Sequence, residues 1–251
     1  MSVILPTYNR AALIGSAIRS VLDQTFADLE LWVIDDGSTD DTHAVVHAIA
    51  DERLRYHRLD RNRGQAAARN EGLRRARGEY LAFQDSDDRW APGKLERSLA
   101  TMGATRPKIG AVYCDMMRVW RDGRVTYHRS PTLKRGRWID PETGWYQVYR
   151  LGIQATLIPR RCLDAVGHFD EELRHFEDME LFMRLSRAYD LVHLREPLVD
   201  YVQTAGVSEN MAGKWRARWR ILRRHGPAIL RESPWFLIRE SRQILRLRFG
   251  R

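Results

Sequence analysis

The sequence predicts an α/β protein in which a mostly parallel central sheet is flanked by helices, with a basic amphipathic helical extension at the C-terminal end. Three observations lead to this prediction. Strand-like and helix-like segments alternate through the N-terminal half, a polar cluster follows each of the first four strands, and positive charge is concentrated near the end of the chain. A length of 251 residues suits one large domain with an extension.

Four short segments in the N-terminal half are predicted to be strands, and the first of them is typical of a buried strand. They are SVILP (residues 2–6), LELWVIDD (29–36), LRYHRL (54–59) and EYLAFQD (79–85). Three segments with helical periodicity lie between them: RAALIGSAIRSVLDQ (10–24), DDTHAVVHAIAD (40–51) and GQAAARNEGLRRAR (64–77). Because strands that alternate with helices form parallel sheets, the polar ends of these strands are expected at one edge, where such sheets bind ligands.

The pattern continues less regularly in the second half. A helix over residues 92–102 and a strand over 109–115 precede a hairpin predicted at Asp122 and Gly123. The run QATLIP (154–159) predicts a strand that leads into a helix. Another helix, with an apolar face, is predicted to start near Glu177.

The net positive charge of the chain is concentrated in the C-terminal tail. Residues 214–251 contain 12 Lys and Arg against 2 Asp and Glu, so the rest of the chain carries a formal charge of −1 although the whole carries +9. Trp215, Trp219, Trp235 and other large apolar residues recur between the arginines at helical spacing. The favoured interpretation is a helix that lies on an anionic membrane surface. The alternatives are a helix pair packed on the body or on another subunit and, least favoured, nucleic-acid binding, which we do not expect.

Composition argues against several classes of protein. Hydrophobic residues make up 43% and charged residues 30%, as in ordinary globular proteins. No apolar run approaches the roughly 18–20 residues that span a bilayer, and the N-terminus lacks the layout of a secretory signal. With only Cys114 and Cys162, neither a disulfide framework nor a cysteine metal site is expected. We expect a cytoplasmic protein, peripheral on the cytoplasmic face of the membrane if the tail binds lipid.

The polar clusters that follow the four strands are PTYNR, DDGSTD, RNRGQ and DSDD. Each cluster alone is explained by turns and helix caps, which use the same residue types. Four in succession on one sheet edge predict a continuous polar crevice rich in carboxylates. The carboxylates Asp85, Asp87 and Asp88 repel one another unless a positive partner lies among them.

Two common phosphate-binding motifs are missing from the sequence. No G-x-G-x-x-G follows the first strand, and no G-x-x-x-x-G-K-[ST] occurs, which argues against a dinucleotide oxidoreductase and a P-loop ATPase. A divalent cation, Mn²⁺ or Mg²⁺, is the expected positive partner, because such ions prefer carboxylate oxygens and bridge to substrate phosphates.

The motifs VILPTYNR, VIDDGSTDDT, NRGQAAARNEG, YLAFQDSDD and VGHFDEELRHFEDMELFMRL resemble, in order and spacing, those of the family 2 inverting glycosyltransferases. The resemblance spans residues 2–201 and implies the GT-A fold, a nucleotide-sugar donor, a divalent metal and inversion at the anomeric carbon. We therefore expect a GT-A domain at 1–205, with a nucleotide-sugar half (1–115) and an acceptor half (116–205), followed by the basic helical tail at 206–251.

The resemblance also assigns roles to individual residues. Nucleotide-sugar contacts fall on Pro6, Thr7, Tyr8, Asp36, Gly64, Arg69, Asp85 and Ser86. Within that set, Thr7 and Asp36 are expected near the base and ribose, and Asp85 on the ribose side. The resemblance makes Asp87 the metal ligand, while Asp88 supports it or caps the next helix.

An inverting enzyme also needs a base that deprotonates the acceptor hydroxyl. The resemblance to the E-D motif of the family assigns this role to Asp178. The alternative for Glu177 and Asp178 is structural, because acidic residues in the first turn of a helix interact favourably with its dipole.

The acceptor half is harder to interpret. Trp138, Trp145 and Tyr146 can stack on a sugar, although packing is the favoured interpretation for each. The acceptor is expected to be a glycan or a lipid-linked glycan and the donor a UDP-sugar. Oligomeric state is left open.

Two positions depart from the family pattern. Many relatives have a histidine near the metal or diphosphate where this chain has Thr204, with Gln203 and Ser208 nearby. The E-D motif continues into Met179 and Glu180, where an aromatic and an acidic residue are more usual.

Alternatives from other functional classes are a metal-dependent nucleotide-sugar hydrolase or nucleotidyltransferase, and a membrane-surface binding protein that acts mainly through the tail.

Overall fold

The computed structural model describes residues 1–103, 108–133, 146–203 and 211–249. The strands are β1 (Ser2–Thr7), β2 (Glu30–Asp35), β3 (Leu54–Arg58), β4 (Tyr80–Phe83), β5 (Arg89–Trp90), β6 (Ile109–Val119), β7 (Val125–His128), β8 (Thr156–Pro159) and β9 (Asp190–Val202). The α-helices are α1 (Ala11–Leu22), α2 (Thr42–His47), α3 (Gln65–Arg75), α4 (Lys94–Gly103), α5 (Arg160–Val166), α6 (Glu177–Ala188), α7 (Met211–Glu232) and α8 (Pro234–Phe249). Short 3₁₀ turns occupy Gln147–Arg150 and Ile153–Ala155.

The described strands form one sheet in the order β3-β2-β1-β4-β8-β6-β9-β5, with β7 paired to β6. The first four strands are parallel, as predicted, and β6 and β9 are also parallel. The pairs β4–β8, β6–β8, β5–β9 and β6–β7 are antiparallel, so the second half of the sheet is mixed. The predicted α/β class is confirmed, with a sheet that is parallel in the N-terminal half and mixed in the second half.

Strand β9 is long, and the sequence analysis did not predict it. Its residues are mostly half-buried, and charged side chains interrupt its apolar positions. Pro197 of β9 pairs with Asp115 of β6, and the register between the two strands shifts on both sides of this pair. Proline in a strand is typical of such an irregularity. A strand with this composition lacks both the continuous apolar run and the strict alternation that reveal buried strands.

The sheet buries apolar side chains on both faces. Alternate residues of β1 divide between them: Val3 and Leu5 belong to the core on the α1 side, and Ile4 belongs to the core that includes α3 and α6. A Cβ on Gly72 of α3 would lie 2.5 Å from Ile4 Cγ2, so α3 packs closely on β1 only because glycine stands there. Because helices pack on both faces of the sheet, the first turns of these helices are held in place, and polar residues described below lie there.

The tail forms a helical hairpin on the body. Its inward residues Ala217, Ile221, Leu222, Ile229, Phe236 and Ile244 belong to the same buried core as α3 and α6. Phe236 packs edge-on against Tyr146 at a ring-centroid distance of 4.6 Å, and the buried Arg218 and Glu240 pair across the hairpin at 3.1 Å. The inner face of the tail therefore packs on the body, which was one of the predicted alternatives. Tyr146 is a packed residue, which is the interpretation favoured from the sequence.

The outer face of the hairpin leaves Trp219, Leu230, Trp235, Ile238 and Leu245 exposed. Membrane binding through this face stays a prediction. None of the helices in the described ranges is both long and apolar enough to cross a bilayer. The predicted tail boundary lies in residues 204–210, outside the described part of the chain, and Trp138 and Trp145 lie outside it as well. Cys114 and Cys162 are buried free thiols.

Candidate active site

The ends of β1 and β2 lie side by side, because Thr7 pairs in register with Asp35. Pro6 and Thr7 close β1 and are buried, whereas Tyr8 is exposed. Asn9 follows at a φ of 51° and joins the two loops: its backbone N–H donates to Ser38 Oγ at 2.9 Å. The loops after β1 and β2 therefore form one connected rim.

Asp36 joins this rim to the loop before α3. Its two carboxylate oxygens accept backbone N–H groups from Arg63 and Gly64, each at 2.7 Å. Burial nevertheless raises the pKa of Asp36, and these hydrogen bonds offset only part of that effect. The predicted contact of Asp36 with a nucleotide stays a prediction. In the structure its carboxylate fixes the position of the loop.

Gly64 lies directly before α3 at a φ of 93°. A Cβ at this position would lie 2.3 Å from Nη1 of Arg174. Glycine is therefore required both by the backbone conformation and by the close approach of the Arg174 side chain.

Arg69 of α3 is the most deeply buried cation of the site, at 2% exposure. Its Nη2 donates to Asp85 Oδ1 at 2.9 Å and its Nη1 donates to Glu177 Oε1 at 2.7 Å. Phe169 packs against the guanidinium, whose carbon lies 5.5 Å from the ring centroid. Arg69 thus connects the DSDD loop with the first residue of α6, an arrangement that the sequence analysis did not foresee.

The DSDD loop orients its three carboxylates differently. Asp85 and Asp87 remain partly exposed, and Arg10 Nη2 lies 3.9 Å from Asp87 Oδ2. Asp88 is buried, and its Oδ1 accepts the backbone N–H of Val202 at the end of β9 at 2.9 Å. Ser86 is also buried. Asp88 therefore anchors the loop, whereas the Asp85 and Asp87 side chains keep some exposure to solvent.

Repulsion and burial act together on these carboxylates. Burial raises the pKa of Asp85, and the nearby Asp87 adds to the rise that Arg69 partly offsets. Burial also raises the pKa of Asp88 well above its usual value. A further cation beside these carboxylates would stabilise their charged forms.

Asp178 lies in the first turn of α6, after Phe176, which adopts a left-handed φ of 63°. Its Oδ1 accepts the N–H of Met179 at 2.7 Å. Burial, and then the adjacent Glu177 carboxylate, raises the pKa of Asp178 to about 7. The carboxyl group is therefore suited to accept a proton near neutral pH.

The carboxylates at the crevice rim fit a divalent cation. Asp85 and Asp87 present carboxylate oxygens, the ligand type that Mg²⁺ and Mn²⁺ prefer, and a cation between them would reduce their mutual repulsion. Over the described ranges, no group of three or more His, Cys, Asp or Glu side chains forms a complete metal site. A cation held by Asp85 and Asp87 would complete its coordination with water and substrate phosphate oxygens, which is how Mg²⁺ is usually bound.

Sequence analysis missed the role of Asn70, which follows Arg69 in the AARN motif. Its side chain donates to Phe169 O at 2.9 Å and accepts the N–H of Phe169 at 3.0 Å. This two-way bond ties α3 to the segment before α6. The position of Asn70 next to Arg69 in the motif could have indicated a role for it. The sequence alone, however, does not pair Asn70 with a residue 99 positions away.

Glu180 was noted only as part of a departure from the family pattern, and the structure gives it a role. It is fully buried, accepts hydrogen bonds from Arg184 Nε and Nη2, and lies 3.0 Å from His225 Nε2 of α7. The helix that carries Asp178 is therefore joined to the tail. Gln203 donates its N–H to Val119 O at 2.9 Å, while Thr204 and Ser208 lie outside the described residues.

A family model described as "Glycosyl transferase family 2" matches residues 2–154. The succinoglycan biosynthesis protein ExoO of Rhizobium meliloti (strain 1021) is 35% identical over 186 residues, which cover 71% of this chain and 53% of ExoO. The Escherichia coli protein WfgD, named UDP-Glc:alpha-D-GlcNAc-diphosphoundecaprenol beta-1,3-glucosyltransferase, is 42% identical over 102 residues, 41% of this chain and 40% of WfgD. The matches thus span about half or less of these two relatives.

Solved structures show the same fold. S. aureus TarS 1-349 in complex with UDP-GlcNAc gives a TM-score of 0.73 at 23% identity, covering 99% of this chain and 72% of that one. Mannosyltransferase PcManGT from Pyrobaculum calidifontis, in complex with GDP-Man and Mn²⁺, gives a TM-score of 0.64 at 21% identity, covering 96% and 72%.

Proposed function

The chain belongs to glycosyl transferase family 2, and on that premise we propose that it transfers a sugar from a nucleotide-diphosphate sugar to a hydroxyl of a glycan or lipid-linked glycan. The observation that carries the proposal is the Arg69 bridge, which brings the DSDD loop and the start of α6 to one side of the sheet. The carboxylates of the DSDD loop are thereby held near Asp178, whose pKa lies near neutrality, and this proximity supports the proposal.

The donor lies along the joined rims of β1, β2 and α3. Its contacts in this proposal are Pro6, Thr7, Tyr8, Asp36, Gly64, Arg69, Asp85 and Ser86. The hydrogen bonds from the backbone of Arg63 and Gly64 to Asp36 support this assignment, because they hold the loop before α3 against the end of β2. UDP is the expected nucleotide, in line with the UDP-GlcNAc complex of TarS.

Asp87, with Asp85 beside it, would hold a divalent cation together with the donor's diphosphate. The Mn²⁺ complex of PcManGT supports this choice of ion. When bound, the cation acts as a Lewis acid that stabilises the negative charge on the departing nucleoside diphosphate.

Asp178 serves as the general base. The acceptor oxygen forms a bond to the anomeric carbon from the face opposite the diphosphate, the bond from that carbon to the diphosphate oxygen breaks, and Asp178 accepts the hydroxyl proton. One displacement of this kind inverts the anomeric configuration. Glu177 positions the base helix through its bond to Arg69.

The acceptor is a glycan or lipid-linked glycan of the cell envelope, as the names of ExoO and WfgD suggest for those proteins. The exposed apolar residues of α7 and α8 support a peripheral position on the cytoplasmic face of a membrane.

The test is a thermal-shift screen of nucleoside diphosphates and nucleotide sugars with and without Mn²⁺, followed by product analysis by NMR. A nucleotide that stabilises the protein identifies the donor class. Formation of a new glycosidic bond with inverted configuration supports the proposal. Release of free sugar without transfer to any acceptor would instead indicate a hydrolase.

A further inference from the structure

A cavity of about 950 Å³ opens between α7 and the loop that precedes α6. Five arginines line it, namely Arg174, Arg216, Arg220, Arg223 and Arg224. Only two carboxylates, Asp170 and Glu172, lie in the same wall. The cavity is therefore strongly cationic, and it lies outside the donor crevice.

The two carboxylates are already paired. Arg220 donates from Nε to Asp170 Oδ2 at 2.7 Å and also binds Glu172. Arg224 lies 3.6 Å from Asp170 and 3.3 Å from the buried Glu180. Arg220 and Arg224 thus belong to the packing between tail and body.

The other three arginines, Arg174, Arg216 and Arg223, make no salt bridge with any residue that the structure describes. Arg216, Arg220 and Arg223 follow one another at i, i+4 and i+7, which places them on one face of α7. Like charges at this spacing destabilise a helix, so an anion bound between them would be favoured. Arginine binds phosphate oxygens through paired N–H donors, which makes phosphate the natural anion.

Aromatic residues make the cavity amphipathic. Trp215 and Trp219 belong to its wall, and the Arg216 guanidinium carbon lies 5.4 Å from the centroid of the Trp215 ring. Trp219 is 54% exposed, so it continues the apolar wall onto the protein surface. A ligand with a phosphorylated head and an apolar chain matches both features.

The cavity is next to the proposed base. Arg174 and His175, which line it, precede Asp178 by four and three positions in the chain. The Arg174 side chain also covers Gly64 at the edge of the donor crevice. Arg174 therefore contacts both the cavity and the Gly64 loop, and the cavity adjoins the segment that leads into the base helix.

We propose that this cavity binds the diphosphate of a lipid-linked sugar acceptor, with the lipid chain leaving past Trp219. The identification of the ligand as an acceptor rests on the proposed glycosyl transfer. The proposal that the cavity binds an anion does not depend on that function. A recessed site beside the base suits a substrate that must be aligned for attack.

A direct binding experiment uses farnesyl diphosphate as the probe, with EDTA present so that no metal-bound mode contributes. Isothermal titration compares the wild-type protein with R216Q/R223Q and with the matched variant R231Q/R242Q, which removes two exposed arginines of the same hairpin outside the cavity. The dissociation constant is expected to rise about tenfold or more in R216Q/R223Q, because charged hydrogen bonds are lost. It should change less than about twofold in the control, and farnesol should show no dependence on Arg216 or Arg223. Equal affinity of wild type and R216Q/R223Q for farnesyl diphosphate would overturn the proposal.

Transfer assays distinguish this proposal from the function on which it rests. The same acceptor sugar is offered as a lipid diphosphate and as an uncharged alkyl glycoside, both in detergent. R216Q/R223Q is expected to lower kcat/KM about tenfold or more for the diphosphate acceptor alone, with the donor KM unchanged. An equal loss on both acceptors, or on neither, overturns the cavity assignment while glycosyl transfer stands. If wild type transfers to no acceptor yet binds farnesyl diphosphate through these arginines, the proposed function fails and the anion site stands.

Vesicles of anionic phospholipid separate the acceptor from bulk lipid. If R216Q/R223Q loses vesicle binding but keeps its kcat/KM for the diphosphate acceptor, the arginines bind membrane headgroups and the proposal is wrong. Retained vesicle binding together with the selective loss of kcat/KM supports it.

Discussion

Arg69 Nη1 lies 2.7 Å from Glu177 Oε1, a bond between two buried side chains that are 108 positions apart. The same guanidinium holds Asp85 through its other terminal nitrogen. The base helix and the carboxylate loop are therefore held together by one cation. This arrangement makes several outcomes measurable.

Replacing Arg69 with Met should destabilise the fold. The change leaves the buried Glu177 and the partly exposed Asp85 without their partner. The loss of one partner of a buried ion pair costs about 3–5 kcal/mol of unfolding free energy. Urea denaturation measures this loss. The control is Arg63→Met, which breaks the exposed Arg63–Glu171 pair and should cost less than about 1 kcal/mol. Similar values for the two variants would show that Arg69 is not a structural bridge.

Asp87→Ala should abolish the metal-dependent part of nucleoside diphosphate binding. Asp87 is partly exposed, so the fold should remain intact. Isothermal titration of UDP with and without Mn²⁺ measures the effect, and Asp164→Ala removes an exposed carboxylate elsewhere as the control. Unchanged Mn²⁺-dependent binding by Asp87→Ala would exclude Asp87 as the metal ligand.

Gly64→Ala should weaken donor binding as well as stability. The positive φ alone costs about 1–3 kcal/mol, and the new methyl group would also displace Arg174. Gly123→Ala is the matched control, because Gly123 has a φ of 81° but no neighbour that a methyl group would meet within 4 Å. Thermal shift with UDP should reveal a binding defect only in Gly64→Ala. A binding defect of equal size in both variants would show that the close approach of Arg174 to Gly64 does not matter for donor binding.

Trp219→Ser with Trp235→Ser should release the protein from anionic vesicles. Both side chains are exposed on the outer face of the tail, so the fold should tolerate their loss. Truncation after Asn210 is less informative, because the inner face of the tail belongs to the core of the body. Vesicle co-sedimentation measures binding, with Val125→Ser on the exposed β6–β7 hairpin as the control. Undiminished sedimentation of the double variant would contradict membrane binding through this face.

The N-terminal half of the fold could be predicted because its information is local. The apolar run SVILP forms a strand buried on both faces, and because the first four strands are parallel, the polar residues that follow them lie at one edge. Hairpin β6–β7 was equally local, since its Asp122 and Gly123 form a recognisable turn. These elements needed no knowledge of distant partners.

The parts that could not be predicted depend on long-range pairing. Strand β9 is a strand because β6 lies beside it, not because of its own composition. Arg69 was expected to face a nucleotide, whereas its protein partners Asp85 and Glu177 are known only from the structure. The tail showed both an apolar and a basic face, but sequence could not tell which of its apolar residues the body would bury.

The most direct test of the account is the transfer rate of Asp178→Asn as a function of pH. In the wild type, kcat/KM should rise with pH and level off above about 7, because the raised pKa keeps Asp178 protonated, and unable to act as a base, at lower pH. Asp178→Asn should bind the donor with unchanged affinity but transfer sugar about 10²–10⁴-fold more slowly, without this pH dependence. Transfer by Asp178→Asn at the wild-type rate, or with the wild-type pH profile, would contradict the assignment of Asp178 as the base.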